Sequence, residues 1–507
     1  MRPLGPKPSP RLPFVVCDST IVAMNHSASR ILSFLRQFTI LCVLCVFASR
    51  ASAAEKPRVL RAGAATSNIT PKLGTSINGG MSDGKATHVH DDLHARALVL
   101  DDGTTKIAIV VNDSCMIPRE VFDEAKRLAS AATGIPASHM MMSATHTHSA
   151  ATSASVFQSE ADLDYRAFLA VRIADAVRRA HNNLTPARLG WGKASVPDQV
   201  FNRRWHMTPG TKLTNPFGTE DLVKMNPGMK NPALLKPAGP TDPEVVFVTV
   251  QRTNGQHLAL LANYSLHYVG GNPGISADYF GAFADRIQQL LGADRQAPPF
   301  VGLMANGTSG DVNNIPWRDG DTNKYGPGEK LRIVADRVAT EVIKSLPAVQ
   351  LHDWVPLAAA QKEISLGVRK PDAAALARAK DILAKAPNQF PRLKGLDEIY
   401  ARETVQLADY PDRVELLLQA LRLGDLALTA IPCEVFVEIG LELKAKNPFP
   451  ASFTVSLANG YNAYLPTPAQ HALGGYETWR AKSSYLETNA APQITGILFE
   501  LLGQLKK

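Results

Sequence analysis

The sequence predicts an α/β fold in which mixed sheets are flanked by helices. Apolar segments typical of strands alternate along the chain with amphipathic segments typical of helices. Several of the apolar segments end in polar residues, as strands do when they carry a site at the edge of a sheet. The chain has 507 residues, 45% of them hydrophobic and 20% charged, so its composition is that of a globular protein with a large core.

The first half of the chain contains one predicted hairpin and two predicted helices. At 96–111 two apolar runs enclose an Asp-Asp-Gly turn, which predicts a β-hairpin. Residues 121–132 form a predicted helix with Lys126 and Arg127 on its polar side. Residues 165–184 have apolar positions at three- and four-residue spacing, which predicts a long amphipathic helix.

The second half alternates between strands and helices after a long irregular segment. Residues 206–242 are rich in Pro, Gly and Asn and lack periodicity, so we expect a long loop, and such loops are often functional. An Ala/Lys-rich helix at 371–386 is expected to open a helical insertion that extends to about residue 412. The other predicted strands are 257–266, 300–304, 414–423 and 426–431, and the other helices are 280–291, 331–346, 435–446 and 494–505.

The N-terminal segment has the layout of a secretory signal. From Met24 a short polar stretch with two arginines leads into the apolar run 38–48, and the small residues 51–53 follow. The apolar run is short for a membrane span. We therefore expect 1–53 to be a signal segment whose true start is Met24, and 54–507 to be a single domain that is secreted or periplasmic. A membrane anchor that stays uncleaved is the alternative.

Charge and cysteine usage exclude two classes of protein. The whole chain carries a formal charge of +8, and the signal segment contains six cationic residues and one acidic residue, so about +3 remains after its removal. No block of Lys and Arg remains to suggest nucleic-acid binding. Three of the five cysteines precede the expected cleavage site, which leaves Cys115 and Cys433 and at most one disulfide.

Two histidines follow a predicted strand end. The apolar, Met-rich residues 139–142 end a predicted buried strand, and Thr145, His146, Thr147 and His148 come next. Because side chains alternate in an extended chain, His146 and His148 are expected on one side and the threonines on the other. Two imidazoles at a strand end indicate a metal ligand and a neighbour that transfers protons.

Three more strand ends carry chemically capable residues. They are His267, the segment 306–311, and Glu434 after Cys433. Two histidines and one carboxylate from three strand ends match the protein ligands of a catalytic Zn²⁺, which keeps one position open. Such a metal provides a nucleophile at neutral pH.

Each residue also has a structural interpretation. His267 could be a hydrogen-bonded core histidine, and Glu434 could be an acidic residue at a helix N-terminus. The segment 306–311 could be a tight turn whose glycines adopt positive φ. The aromatic residues of the segment 461–464 could simply pack in a loop. Cys433 is interpreted as a small buried residue, since nothing around it suggests an activated thiol.

Taken together, seven segments resemble the catalytic region of the neutral/alkaline ceramidase family. The resemblance extends from about Ala62 to Trp479, and the segments follow the family's order. They are Thr145-His146-Thr147-His148-Ser149, Asn202-Arg203-Arg204, Asn263-Tyr264-Ser265-Leu266-His267, Ser276-Ala277-Asp278-Tyr279-Phe280-Gly281, residues 306–314, Pro432-Cys433-Glu434 and Asn459-Gly460-Tyr461-Asn462-Ala463-Tyr464.

The resemblance implies a mononuclear zinc site with two histidines, one glutamate and one tyrosine. Carried onto this sequence, the ligands are His146, His267, Glu434 and Tyr461, with Tyr464 as the alternative tyrosine.

The resemblance also implies residues that act on the substrate. His148 would be the acid/base or orienting group, and Arg203 would contact the substrate carbonyl or an anionic group. Asp311 and Asn313 belong to a motif that the family associates with catalysis, and they are further candidates. The implied substrate is a small-molecule or lipid N-acyl compound, reached through peripheral membrane contact if it is a lipid.

Two departures from the family pattern bear on the activity. The family's Gly-Asp-Val-Ser-Pro-Asn is Gly310-Asp311-Val312-Asn313-Asn314 here, so Asn313 replaces the serine. An asparagine can orient a substrate or stabilise an oxyanion, but it cannot be the nucleophile. We also expect the chain to lack the family's C-terminal β-sandwich domain.

Three functions are compatible with these observations. The first is zinc-dependent hydrolysis of an amide, ceramide-like or other, with ester cleavage as a possible extension. The second is a binding protein that kept the fold without catalysis, which the replacement at Asn313 motivates. The third is metal-dependent hydrolysis of a different bond, such as a sugar or phosphate ester.

Overall fold

Two sheets stacked on each other form the centre of the molecule. The computed structural model describes residues 58–271, 274–321 and 323–507, and the described chain forms one unit, Arg58–Lys507. The expected signal segment 1–53, with Met24, lies outside the described residues. No helix within the described part is long and apolar enough to span a membrane.

The first sheet has eight strands in the order β15-β14-β13-β8-β1-β4-β5-β6. It is mixed, because β5–β6 and β14–β15 are parallel pairs and the other pairs are antiparallel. Its strands are β1 (Arg61–Asn68), β4 (His94–Asp101), β5 (Lys106–Asn112), β6 (Met140–Ala144), β8 (Thr185–Ser195), β13 (Glu244–Arg252), β14 (His257–Tyr264) and β15 (Val301–Asn306).

The second sheet has four strands in the order β17-β18-β19-β21. These strands are β17 (Leu357–Gly367), β18 (Arg413–Leu423), β19 (Leu426–Ala430) and β21 (Ala451–Val455). The shorter strands of the molecule are β2 (Ser76–Asn78), β3 (Gly84–Lys85), β7 (Ala150–Ala151), β9 (Phe201–Asn202), β10 (Arg204–Met207), β11 (Val223–Met225), β12 (Leu234–Pro237), β16 (Val312–Asn313), β20 (Glu434–Val435) and β22 (Tyr464–Leu465).

Helices flank the two sheets or lie in the connections between strands. They are α1 (Arg119–Thr133), α2 (Leu163–Asn182), α3 (Asp278–Leu290), α4 (Glu329–Ser345), α5 (Ala373–Lys385), α6 (Leu396–Ala408), α7 (Val437–Lys446), α8 (Pro468–Leu473) and α9 (Ala490–Lys506). These bounds agree with the helices that apolar spacing predicts. The helix expected at 435–446 begins at Val437, because the two preceding residues pair as β20.

Successive side chains of a strand point to opposite faces of the sheet, so the core has a layer on each face of the eight-stranded sheet. In β4, Leu98 and Leu100 face the four-stranded sheet, and Ala97 and Val99 face α1 and α2. At the far side, α9 packs on the outer face of the four-stranded sheet through residues such as Leu498. The order helix, sheet, sheet, helix confirms the predicted α/β class with mixed sheets.

Two local expectations are wrong. Residues 206–242 are not an irregular loop throughout, because β10, β11 and β12 pair there in a small sheet. These strands have three or four residues, which is too short for a period of two to be recognised. Lys126 does not lie on a polar face: it is 3% exposed, and its Nζ donates to Oδ1 of Asn459 at 2.8 Å.

Candidate metal centre

Three segments that are distant in sequence meet at one buried point. His146 follows β6, His267 follows β14, and Glu434 opens β20. Nε2 of His146 lies 3.1 Å from Nε2 of His267 and 3.1 Å from Oε2 of Glu434. The exposed fractions are 2%, 2% and 5%, so water screens these groups little.

Backbone carbonyls fix the tautomer of both histidines. Nδ1 of His146 lies 2.8 Å from the carbonyl oxygen of Cys115, and Nδ1 of His267 lies 3.1 Å from that of Ser309. A carbonyl only accepts hydrogen bonds, so each Nδ1 carries its ring's proton and each Nε2 presents a lone pair. Oε2 of Glu434 is buried and lies beside Nε2 of His146.

Three lone-pair donors therefore converge without a proton between them. Such an arrangement is unfavourable when it is empty and favourable around a cation. Among the described residues, His146, His267 and Glu434 form a group whose ligand atoms lie within 4.8 Å of one another. Backbone oxygens that orient metal-binding histidines are usual in metal sites. The residues present thus fit a metal ion.

The ionisation of the cluster agrees with this interpretation. Burial lowers the pKa of His146, but the charges of Glu434 and Cys115 and hydrogen bonds with both residues together outweigh burial and raise that pKa well above its usual value. Burial and the charge of Arg203 hold the pKa of His267 well below its usual value. The Glu434 carboxylate therefore favours positive charge beside Nε2 of His146, where a cation would lie.

His148 lies beside the cluster and is firmly held. Its Nε2 is 3.2 Å from Nε2 of His146, and its ring stacks on Tyr268 with centroids 3.7 Å apart. Burial and the charge of His146 lower the pKa of His148 well below its usual value, so the ring is neutral at pH 7. The two histidines converge, but not through strand alternation: β6 ends at Ala144, and φ of His146 is 76°.

Both candidate tyrosines contact this region. Oη of Tyr461 donates to Oε1 of Glu434 at 3.4 Å. Tyr464 pairs with Glu434 in the parallel β20–β22 bridge, and its Oη accepts from Nη2 of Arg203 at 3.0 Å. Sequence register alone could not separate the two, because they are three residues apart.

Arg203 links the tyrosine to the histidines. It is 5% exposed, and Nη1 lies 3.4 Å from Nε2 of His267. Its Nε donates to Oε1 of Glu477 at 2.9 Å, and Oε2 of Glu477 accepts from Arg204 at 2.6 Å. Glu477 is fully buried, and sequence analysis missed it. The available signal was indirect: two adjacent arginines require an acidic partner when they are buried.

The other two candidate residues, Asp311 and Asn313, lie near the cluster but make their side-chain hydrogen bonds elsewhere. Asp311 accepts hydrogen bonds from the backbone of Val437 and from Asn202, both at 2.9 Å, and burial raises its pKa to about 6. Asn313 donates to Oδ1 of Asn226 at 3.0 Å. No hydrogen bond in the described structure joins either side chain to the cluster. The backbone of Asp311 helps to position Arg203, because its carbonyl oxygen accepts from the N–H of Arg203 at 2.8 Å.

The cavity at the cluster is narrow. Its volume is about 20 Å³, enough for about one water molecule. Its wall contains His146 and Glu434 of the cluster, and it also includes His148, Met116, Val156, Phe157, Tyr461, Tyr464 and Tyr476. A substrate larger than water therefore requires the lining to move.

Comparisons with known proteins identify the family and the fold. The sequence profile described as "Neutral/alkaline non-lysosomal ceramidase, N-terminal" matches residues 61–322, a range that includes both cluster histidines. The crystal structure of neutral ceramidase from Pseudomonas aeruginosa is similar with a TM-score of 0.68 at 17% identity, and the match covers 89% of this chain and 75% of that chain. A ceramidase complexed with C2 matches over the same shares with a TM-score of 0.65 and 17% identity. At this identity the structural matches show the fold.

Proposed function

Because the chain belongs to the neutral/alkaline non-lysosomal ceramidase family, we propose that it is a zinc-dependent hydrolase of the amide bond in an N-acyl, ceramide-like substrate. The observation that carries the proposal is the convergence of two Nε2 atoms and a buried carboxylate oxygen, with Nε2 of His146 3.1 Å from each of the other two atoms. Family membership supports hydrolysis of an amide, and the donor set supports the metal.

Zinc is the metal that this donor set favours. Two imidazoles and one carboxylate are a usual set of protein ligands for catalytic zinc. When bound, Zn²⁺ supplies a Lewis acid for the substrate carbonyl and a nucleophile at neutral pH. His146, His267 and Glu434 would hold it.

Tyr464 is the better candidate for a fourth ligand. Its Oη shares Arg203 with His267, so it lies on the side of the cluster where the Nε2 atoms meet. Tyr461 contacts Oε1 of Glu434, not the oxygen that faces His146. We therefore propose Tyr464 as the ligand and assign Tyr461 the role of orienting Glu434, which reverses the order that the sequence suggested.

Two side chains are placed to act on the substrate. His148 is neutral at pH 7, so it can accept the proton of the attacking water. Its low pKa then makes its protonated form a ready donor to the leaving amine. Arg203, held by Glu477, presents a fixed guanidinium that can orient the amide carbonyl.

Matched substitutions test the proposal. We expect His146→Ala to lose both zinc and activity, and His148→Ala to keep zinc and lose activity by about 100-fold or more. Tyr464→Phe should lower zinc content, and Tyr461→Phe should not. Metal analysis is paired with a panel of N-acyl amides and the corresponding esters. Full hydrolysis by a protein freed of zinc would overturn the proposal, and substrate binding without turnover would favour the binding-protein alternative.

We also propose that residues 1–53 direct export and are removed, so that residues 54–507 act outside the cytoplasm. The apolar run and the small residues that follow it support this. N-terminal sequencing of the mature protein tests it, and a mature chain that retains the apolar run would contradict it.

A further inference from the structure

Three arginine side chains line a cavity away from the metal cluster. The cavity has a volume of about 500 Å³, and Arg369, Arg378 and Arg480 contribute to its wall. Within the described ranges, no carboxylate lies within 4.0 Å of any of the three guanidinium groups. The cavity thus brings three guanidinium groups together without a direct ion pair to any described residue, although three carboxylates also belong to its wall.

The hydrogen bonds of these arginines use neutral acceptors or are absent. Arg369 donates to the carbonyl oxygens of Leu486 and Ser484 at 2.9 and 2.7 Å. Arg378 reaches only the carbonyl oxygen of Pro216, at 3.4 Å. Nε of Arg480 is buried and has no hydrogen-bond partner. A buried donor without a partner is costly, so a ligand that accepts from it is favoured.

The like charges also oppose one another. Burial and then the charge of Arg480 lower the pKa of Arg369 to about 10. Burial lowers the pKa of Arg480 as well, and the charge of Asp372 offsets part of that effect. An anion between these groups would relieve both the repulsion and the missing hydrogen bond.

The first turn of α5 also lies at the cavity, and the Asp372 carboxylate caps it. Ala374 and Ala375, in the first turn of α5, line the cavity. Three carboxylates also line the cavity and oppose an anion, so an anionic head group must lie nearer the guanidinium groups than the carboxylates. Asp372 accepts from the N–H of Ala375 at 2.7 Å, and Asp221 accepts from Nε1 of Trp479 at 2.7 Å. The third, Asp397, is exposed.

The remaining wall is apolar and aromatic. Phe217, Ile382, Tyr400 and Trp479 line it, and the Phe217 ring centroid lies 5.7 Å from Cζ of Arg480. The volume lies within the roughly 300–1,000 Å³ typical of small-molecule sites, so an inorganic ion would leave most of it empty.

We propose that this cavity binds an anionic amphiphile, with its phosphate or carboxylate head between Arg369, Arg378 and Arg480 and its apolar part against Phe217 and Trp479. The site is separate from the metal cluster but only one aromatic layer away. Trp479 contacts Tyr476, with ring centroids 5.9 Å apart, and Tyr476 lines the metal cavity. The proposal does not depend on the proposed hydrolysis.

Calorimetric titration with hexyl phosphate and with hexanoate tests the proposal on the intact protein. We expect saturable binding of both probes that weakens as salt is raised, and no binding of hexanol. Arg480→Gln and Arg378→Gln should each weaken binding at least tenfold, since each removes a charged donor. Arg295→Gln is the matched control, because its side chain is 93% exposed and lies outside the cavity lining.

Three results would overturn it. Equal affinities of the wild type and both cavity variants would show that the arginines do not hold the head group. Inorganic phosphate that binds as tightly as hexyl phosphate would remove the role of the apolar wall. Binding that survives Arg480→Gln but disappears in His146→Ala would place the probe at the metal cluster instead. Because Arg378 is exposed, its variant remains informative if Arg480→Gln fails to fold.

Discussion

Gly79 determines where the ring of His148 can lie. Its φ is 124°, and a Cβ built on it would overlap with the His148 side chain. The ring is therefore held between Tyr268 on one face and the backbone of Gly79. A glycine is required here both by its backbone conformation and by this close approach.

Gly79→Ala should displace the His148 ring and lower kcat by about tenfold to 100-fold, while zinc content stays unchanged. Gly74→Ala is the control, because φ of Gly74 is 86° and no atom lies within 4 Å of a Cβ built there. The control should cost about 1–2 kcal/mol of folding stability without affecting kcat. Equal kcat losses in both variants would show that backbone strain, not contact with His148, is responsible.

Lys126 makes stability depend on pH above neutrality. Burial lowers its pKa to about 8, whereas an unfolded lysine has a pKa of about 10.4. Between these values the unfolded chain binds one more proton than the folded chain, so stability contributed by this group rises with pH by about 1.4 kcal/mol per unit. Below about pH 8 both states are protonated, and the buried charge persists as a cost.

Lys126→Met should remove this dependence. Urea unfolding at pH 8.0 and 9.5 should show the wild type gaining stability relative to the variant as pH rises. The exposed Lys72→Met is the control for loss of one lysine. A wild-type-minus-variant difference that does not change with pH would contradict the assignment.

At the level of elements, residues 156–158, beside the cavity at the cluster, are hydrogen-bonded to the connection between α5 and α6. Gln158 is 2% exposed, and its side chain accepts from the N–H of Leu393 at 2.7 Å and donates to the carbonyl oxygen of Leu393 at 3.0 Å. The adjacent Val156 and Phe157 line the cavity. The helical insertion thus supports one wall of the candidate site.

Gln158→Leu should lower the free energy of unfolding by about 1–3 kcal/mol, because it leaves two buried backbone groups without partners. It should also change KM more than zinc content, since it loosens the wall and not the ligands. Steady-state kinetics and metal analysis check this. Gln493→Leu, on the exposed face of α9, is the control, and comparable effects from it would refute the assignment.

Long periodic elements were predictable from the sequence, and side-chain partners were not. The hairpin β4–β5 and helix α2 follow from apolar spacing alone, because one face of each is buried. Lys126 looked like a surface residue because its partner, Asn459, is 333 positions away. The four strand-end segments of the site were predictable as chemically capable, but the turn at His146 and the support of Arg203 by Glu477 depend on tertiary contacts.

At the scale of the whole molecule, the cluster of His146, His267 and Glu434 brings distant parts of the chain into contact. Its ligand candidates span residues 146–434 and follow strands of the eight-stranded sheet or open β20. A ligand that binds only the folded state stabilises it by about 4 kcal/mol when its free concentration is 1,000 times Kd. Metal should therefore stabilise the entire fold.

Removal of metal by a chelator should lower Tm, and added Zn²⁺ should restore it. His267→Ala, which lacks one ligand candidate, should show the lower Tm and no response to either treatment. Thermal unfolding followed by circular dichroism measures both. A wild-type Tm that is insensitive to chelator and to zinc, in a protein that contains zinc, would contradict a link between the cluster and the fold.

The distribution of the ligand candidates has a consequence for biosynthesis. A nascent chain that has emerged to residue 322 contains His146 and His267 but neither Glu434 nor Tyr464. The β20–β22 bridge that sets these last two residues side by side forms only after residue 464 has left the ribosome. The full set of ligand candidates therefore comes together only late in synthesis, and a chain truncated before that point lacks Glu434 and Tyr464.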